Sequence, residues 1–199
     1  MRFMHKLLSA SVLLASVQTA FATSAQWVNV TDAAKDPSGF HTWDLQLTLT
    51  GSDDFLSARL HATGTFYQDA LGTDNSAPNP AFFVAFPQLQ FDTYVASPTA
   101  SSATVLGSFD GSTEGPPPDT FSTSELGIVW GDTVSSPPGT STIAQLTFSG
   151  TAPQVAGRVS FGPDANNIQN LVLPQIVPEP AALGLAIFGA TSLLRRKRT

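Results

Sequence analysis

The sequence predicts an all-β protein, an antiparallel β-sandwich of two sheets flanked by two terminal helices. Apolar and polar residues alternate with a period of two through the middle of the chain, as they do in strands with one buried and one solvated face. Clusters of Gly, Pro, Asn and Asp separate these stretches, and no window of the middle has a convincing helical period. About eight or nine short strands of this kind would pack as two sheets face to face.

The N-terminal segment, residues 1–22, has the parts of a signal peptide and would form the first terminal helix. A basic start is followed by an apolar run over residues 7–17, and Ala20 and Ala22 then form an A-x-A cleavage site. Because such segments are removed on export, we expect the mature chain to begin at the next residue, with cleavage after Ala25 as the alternative.

The alternation is clearest in residues 42–50 and 58–67. In the first stretch Trp43 and three leucines point one way while polar side chains point the other. Residues 58–67 repeat the pattern with smaller apolar side chains. Further strands are predicted at residues 82–86, 91–95, 104–109, 126–130, 144–149 and 154–161.

Two proline-rich stretches, residues 69–80 and 115–118, do not suit a sheet interior, because proline has no N–H to donate. We expect both to be exposed loops, where a rigid sandwich most often carries recognition. The sandwich domain is predicted to span residues 23–165, and a linker is predicted over residues 166–177.

The C-terminal tail, residues 178–199, has three parts. An uncharged apolar run over residues 181–194 would span about 21 Å as a helix, which is short for a bilayer core of about 30 Å. Cations behind it would stay on the cytoplasmic side. The tail therefore predicts a transmembrane helix, with a plain anchor, a buried core helix and a removable sorting signal as alternatives. The residues that flank the run are Pro178, Glu179 and Pro180 before it and Arg195, Arg196, Lys197 and Arg198 after it.

The Pro-Glu-Pro motif, the short apolar helix and the basic end resemble the PEP-CTERM protein-sorting domain of Gram-negative bacteria. Their order, spacing and position at the extreme C-terminus all match that domain, over residues 178–199. The resemblance implies that the tail is the signal for an exosortase, a membrane enzyme that cleaves near the motif. It also implies an exported protein associated with exopolysaccharide and biofilm matrix.

The middle of the chain resembles secreted β-sandwich modules, such as cohesins and carbohydrate-binding modules, in architecture alone. This resemblance implies a jelly-roll or immunoglobulin/cohesin-like strand arrangement and no function, because one fold serves many functions.

Charge and cysteine content narrow the classes of function. Residues 26–177 carry 14 acidic and three basic side chains, a net charge of −11. Such a domain repels phosphates, which excludes nucleic acid as a partner. The chain has no cysteine, which excludes disulfides, thiolate metal sites and cysteine nucleophiles.

Calcium is the one cofactor that the sequence suggests. Asp69, Asp74 and Asn75 cluster in one predicted loop, and hard oxygen ligands in a flexible loop suit Ca²⁺. The EF-hand pattern is absent, and solvated turn residues are the alternative interpretation.

The aromatic side chains suggest a ligand site. Tyr67 is out of phase with the apolar face of its strand, so we expect it to be exposed. With Trp27, Trp130 and Tyr94 it could form a platform on which sugars stack, whereas Trp43 is in phase with the core. Burial of these rings in the core is the alternative.

A catalytic site is not predicted. His41 and His61 both lie where solvated side chains are expected, and a G-x-S-x-G nucleophile motif is absent. A glycosidase would need two carboxylates across a cleft, and Glu114 and Glu125 are the only glutamates of residues 26–177.

The sequence therefore favours an exported, non-enzymatic protein of the cell surface or extracellular matrix. Its expected partners are an exosortase, the inner membrane until the tail is cleaved, and exopolysaccharide. The alternatives are a glycan-binding module of the matrix and an exported hydrolase.

Overall fold

In a computed structural model of the protein, residues 22–99, 102–164 and 166–177 are described, and they form an antiparallel β-structure with two short 3-10 helices. The all-β prediction is confirmed. The 3-10 helices are η1 (Pro80–Phe82) and η2 (Pro87–Phe91). The strands are β1 (Ser24–Asn29), β2 (Phe40–Leu49), β3 (Asp54–Phe66), β4 (Tyr94–Val95), β5 (Thr104–Phe109), β6 (Glu114–Gly115), β7 (Thr120–Phe121), β8 (Glu125–Gly131), β9 (Gly139–Gly162) and β10 (Gln169–Val172).

The predicted terminal helices lie outside the described residues, apart from the exposed Ala22. Within the described part of the chain, no helix has the length and apolar character needed to cross a bilayer.

The strands follow one continuous hydrogen-bonded path in the order β1-β2-β9-β3-β8-β5-β6, with β4 and β10 also on β9 and β7 on β8. The sequence pattern suggested two separate sheets. The path is unbroken because the strands predicted at residues 144–149 and 154–161 are one strand, β9. Gly150, with a φ of 78°, begins the short excursion between them, a conformation that glycine adopts without steric cost.

Strand β9 is paired along both edges. One edge carries β2 and then β10, and the other carries β4 and then β3. At Ser149 the strand pairs with Phe40 of β2 and Thr65 of β3 at the same time.

The inward faces of the strands share a single hydrophobic core. Trp130 is fully buried in it, and its Nε1 donates to the Ala96 carbonyl at 3.1 Å, which satisfies the polar end of the ring. The other large side chains that are fully buried are Phe55, Phe148, Leu45, Leu47, Leu60, Leu126, Ile128, Ile143, Leu146, Val95 and Val159.

Part of the polar face of β9, at Gln145 and Thr147, is also buried, although its alternation suggested solvent. A long segment between β3 and β4, residues 68–93, covers it, and we call this segment the insertion. Gln145 Nε2 donates to the carbonyls of Gln90 and Asp92 at 3.1 and 2.8 Å, and Thr93 Oγ1 donates to the Thr147 carbonyl at 3.3 Å. These bonds replace the water that the polar side chains would otherwise bind.

The insertion corrects the strand predicted at residues 82–86. That stretch forms turns and part of η1, because Pro80 and Pro87 each begin a 3-10 helix. The Asn79 side chain caps the first helix by accepting from the Ala81 N–H at 2.9 Å. Of the strand predicted at residues 91–95, only β4 forms.

The linker predicted over residues 166–177 is part of the fold, which is a correction. It contains β10, and Leu173 and Ile176 are only 3 % and 5 % exposed. Gln175 bonds both backbone groups of Val155 through its side-chain amide. The local sequence is short and rich in Asn and Gln, so pattern alone does not reveal a strand there.

Ile176 and Val177 provide a matched test of this correction. We expect Ile176→Ala to lower the free energy of unfolding by about 2–4 kcal/mol, because it empties a packed site. Val177→Ala should change it by less than about 0.5 kcal/mol, because Val177 is 71 % exposed. Urea unfolding followed by tryptophan fluorescence measures both, and equal effects would contradict the assignment of Ile176 to the core.

Candidate functional site

The predicted processing residues lie mostly outside the described part of the chain. Ala20 and the tail residues Pro178, Glu179, Pro180, Arg195, Arg196, Lys197 and Arg198 are among those not described. The start of the fold is informative, because Thr23 Oγ1 donates to Asp53 Oδ2 at 2.6 Å and Ala25 pairs with Leu47 inside β1. Removal of residues 1–22 leaves β1 whole, whereas cleavage after Ala25 would remove its first two residues.

The aromatic rings of the predicted platform do not meet on one surface. Trp43, Trp130 and Tyr94 are buried, and Trp27 packs against the core with its Nε1 donating to the Pro174 carbonyl at 2.9 Å. The core takes these rings because each removes a large apolar area from water.

Tyr67 is half-buried rather than exposed, which corrects the prediction. Its ring packs edge-on against Phe40 with centroids 5.6 Å apart, and its hydroxyl donates to Asp69 Oδ2 at 3.4 Å. Burial, followed by the nearby Asp69 charge, raises the pKa of the Tyr67 hydroxyl. The ring therefore helps to hold the base of the insertion.

Two of the predicted calcium ligands, Asp69 and Asn75, form hydrogen bonds with backbone groups. Asp69 Oδ1 accepts from the Leu71 N–H at 2.9 Å, and Asn75 Nδ2 donates to the Ala103 carbonyl at 3.1 Å. Asp74 is exposed. Among the described residues no three Asp, Glu or His side chains converge as a metal-binding group.

Asp92 is the buried acid of this region, and it lies inside a predicted strand, where its sequence pattern does not mark it as a site. Its side chain is 2 % exposed and accepts from the Asp69 N–H at 2.8 Å, with Gly72 packed directly on its other oxygen. Burial raises the pKa of Asp92 to about 6, against the lowering effect of the Asp69 N–H bond. Repulsion by Asp69 and Asp74 contributes to this raised pKa.

Charged side chains converge on the outward face of β3, opposite the core. Arg59 forms an ion pair with Glu114 and lies 5.2 Å from the centre of the Phe109 ring. His61 Nε2 and Glu125 Oε1 are 3.2 Å apart on the same face. Each glutamate therefore has a basic partner, and in the described part of the chain no hydroxyl donates to either histidine. The arrangement holds segment 109–115 against the sheet and lacks a paired nucleophile and base.

An open groove of about 550 Å³ lies beside these charges and is the best candidate binding site. Its floor is the outward face of β3 and β9, where Ser57 pairs with Ser160. Arg158 and Asn170 line it together with apolar side chains such as Leu106. This volume is in the range of small-molecule sites, and the mixture of hydroxyl, amide, guanidinium and apolar groups suits a polar ligand with a hydrophobic face.

The groove was missed at the sequence level because its walls come from distant parts of the chain. Ser160 Oγ donates to Asn170 Oδ1 at 2.8 Å, which fixes β10 beside β9 as one wall. Alternation places Arg158 and Ser160 on one face of β9, but only the pairing shows that Ser57 stands opposite.

The burial of Asp92 makes stability depend on pH in a defined direction. The folded state favours the protonated form of Asp92, because its folded pKa of about 6 exceeds the ordinary 3.8. The stabilisation of the fold by protonated Asp92 is therefore fully present below a pH of about 4 and is lost as the pH rises through about 6. Asn cannot ionise and keeps an acceptor for the Asp69 N–H. We expect Asp92→Asn to raise the thermal midpoint at pH 7, with the gain vanishing at pH 4.

Asp164→Asn is the matched control. Asp164 is exposed, and the Asn166 N–H lowers the pKa of its carboxylate, so its replacement should give no gain at pH 7. Calorimetric scans of the three proteins between pH 4 and 7 measure the difference, and parallel profiles for Asp92→Asn and the parent would contradict the burial argument.

Comparison of the chain with protein families, with curated proteins and with solved structures finds no match.

Proposed function

We propose that the protein is an exported, non-enzymatic protein of the cell surface or extracellular matrix, processed by an exosortase at Pro178–Pro180. The observation that carries the proposal is the three-part tail of proline motif, apolar run and four cations. In this proposal the tail holds the protein in the inner membrane until it is cleaved, and exopolysaccharide is the medium in which the product functions.

The limits of the fold support this division of the chain. Among the residues that the structure describes, the first strand begins at Ser24 and the last core side chain is Ile176. The core of the described residues therefore lies between the two segments that this proposal removes. The acidic middle keeps such a product dispersed in water.

We also propose that the continuous sheet closes on itself as a β-sandwich of jelly-roll or immunoglobulin/cohesin-like form. A single core cluster contains inward side chains from β2, β3, β8 and β9, which supports packing of one part of the sheet against another.

Terminal mass spectrometry tests the processing. In cells that contain an exosortase, we expect a mature chain that starts at Thr23 and ends near Pro178–Pro180. Glu179→Ala should leave the tail uncleaved, while Glu125→Ala, which removes a carboxylate from the sheet surface, should be processed normally. A mature parent chain that still ends in Arg-Arg-Lys-Arg-Thr would reject the proposal.

Glycan binding is the second candidate function, and the groove beside Arg158 favours it. Hydroxyl and amide groups can bond sugar hydroxyls, and Leu106 can contact the apolar face of a sugar ring. Arg158 makes no ion pair within the described residues, so its guanidinium is available to an acidic sugar.

A pair of charge-matched variants tests the groove. If the exported chain binds acidic glycans on an array, Arg158→Gln should weaken binding about tenfold or more, because it removes a charged hydrogen bond. Lys35→Gln makes the same change of charge in a distant exposed turn and should have little effect. An array without any binding, with and without Ca²⁺, would leave the structural role alone.

A further inference from the structure

The insertion carries an uninterrupted apolar stretch at the surface. Residues 80–87 read Pro-Ala-Phe-Phe-Val-Ala-Phe-Pro, without one polar or charged side chain, and we call them the apolar loop. Val84 is 96 % exposed, and Phe82 and Phe86 are exposed beside it. Leu71 adds a further exposed side chain next to an open groove of about 570 Å³ that Phe82 also lines. A patch of this kind is typical of an interaction site.

Most N–H groups of the apolar loop are bonded from within, the Val84 N–H excepted. Pro80 and Pro87 have no N–H, and the N–H groups of Ala81, Phe82, Phe83, Ala85 and Phe86 donate to Asn79, Pro80 or Phe82. A loop with few free donors offers little to a partner strand. Its exposed apolar side chains can, however, enter the interfacial layer of a bilayer while the loop backbone stays at the level of the headgroups.

The insertion is attached to β9, the same strand that holds the end of the fold. Its two ends meet, because the Thr93 N–H donates to the Tyr67 carbonyl at 3.2 Å and the Tyr67 N–H to the Thr147 carbonyl of β9 at 2.8 Å. The last residues of the fold are bonded to Val155 of the same strand. Eight residue steps along β9 lead from Thr147 to Val155, a distance of at most about 26 Å.

The chain beyond the fold is short. Four residue steps lead from Val177 to Ala181, where the predicted membrane segment begins, and a backbone of that length reaches at most about 14 Å. While the tail is in the membrane, the end of the fold from which the chain leaves is therefore held close to the lipid surface.

We propose that the apolar loop inserts into the neutral lipid surface beside the membrane-anchored tail, so that the uncleaved protein has two contacts with the bilayer. This inference rests on the proposed function of the tail. The net charge of −11 over residues 26–177 opposes an anionic surface, and the apolar loop has no cation to attract one. The contact is therefore hydrophobic, and it grows with the apolar area that leaves water.

Variants with one introduced cysteine each can test the proposal, because the chain contains no cysteine that would compete for the label. The full chain, reconstituted in phosphatidylcholine vesicles, would carry an environment-sensitive fluorophore at Val84→Cys, Val134→Cys or Ile187→Cys. Val134 is the control, a valine that is also exposed but lies outside the insertion. We expect lipid-borne quenchers to reduce emission at positions 84 and 187, and aqueous iodide to reduce it at position 134.

The three positions separate the two proposals. Quenching by lipid at 187 but by iodide at 84 would overturn the loop contact and leave the anchored tail intact. Accessibility of 187 to iodide would reject the anchor, and the loop contact that rests on it. Shielding of position 84 without vesicles that increases with protein concentration would assign the apolar loop to a contact between copies and also overturn the proposal.

Discussion

The pairing of β9 along both edges is the constraint on which the rest of the structure depends. A buried strand must have its N–H and C=O groups bonded on each side, because an unpaired buried backbone group is costly. With 24 residues, β9 needs several partners, and β2, β10, β4 and β3 share its edges. The insertion starts and ends on one of those edges, and the last strand of the fold completes the other.

Local alternation correctly predicted those strands whose outward face is solvated or is covered only by short segments. Leu45 and Leu47 in β2, and Leu60 in β3, are buried as their period indicated. The same rule failed for Gln145 and Thr147, which are buried under the insertion. The Gln145 side chain donates to the Asp92 carbonyl, and the Thr147 N–H donates to Thr93 Oγ1. A polar residue that faces a covering segment has the same local pattern as one that faces solvent, so sequence alone could not distinguish them.

The candidate sites were harder to predict because they depend on contacts between distant residues. Asp69 and Asn75 have the chemistry of calcium ligands, but their side chains form hydrogen bonds with nearby backbone groups that would otherwise be unpaired. Tyr67 was out of phase with its strand, yet Phe40, at the start of β2, covers one edge of its ring. The groove beside Arg158 exists only through the register of β3 on β9 and of β10 on β9.

The position of Ile176 has a steric consequence for any enzyme that acts on the tail. This side chain is packed in the core, and Gln175 is bonded to Val155, so ordered chain continues to within two residues of Pro178. A protease that binds several residues on the N-terminal side of the scissile bond would clash sterically with the folded domain. Its cleft must bind few residues on the N-terminal side of the scissile bond, or the last residues of the domain must detach from β9 before that bond can be cleaved. The rate of maturation would then depend on how firmly those final residues are held.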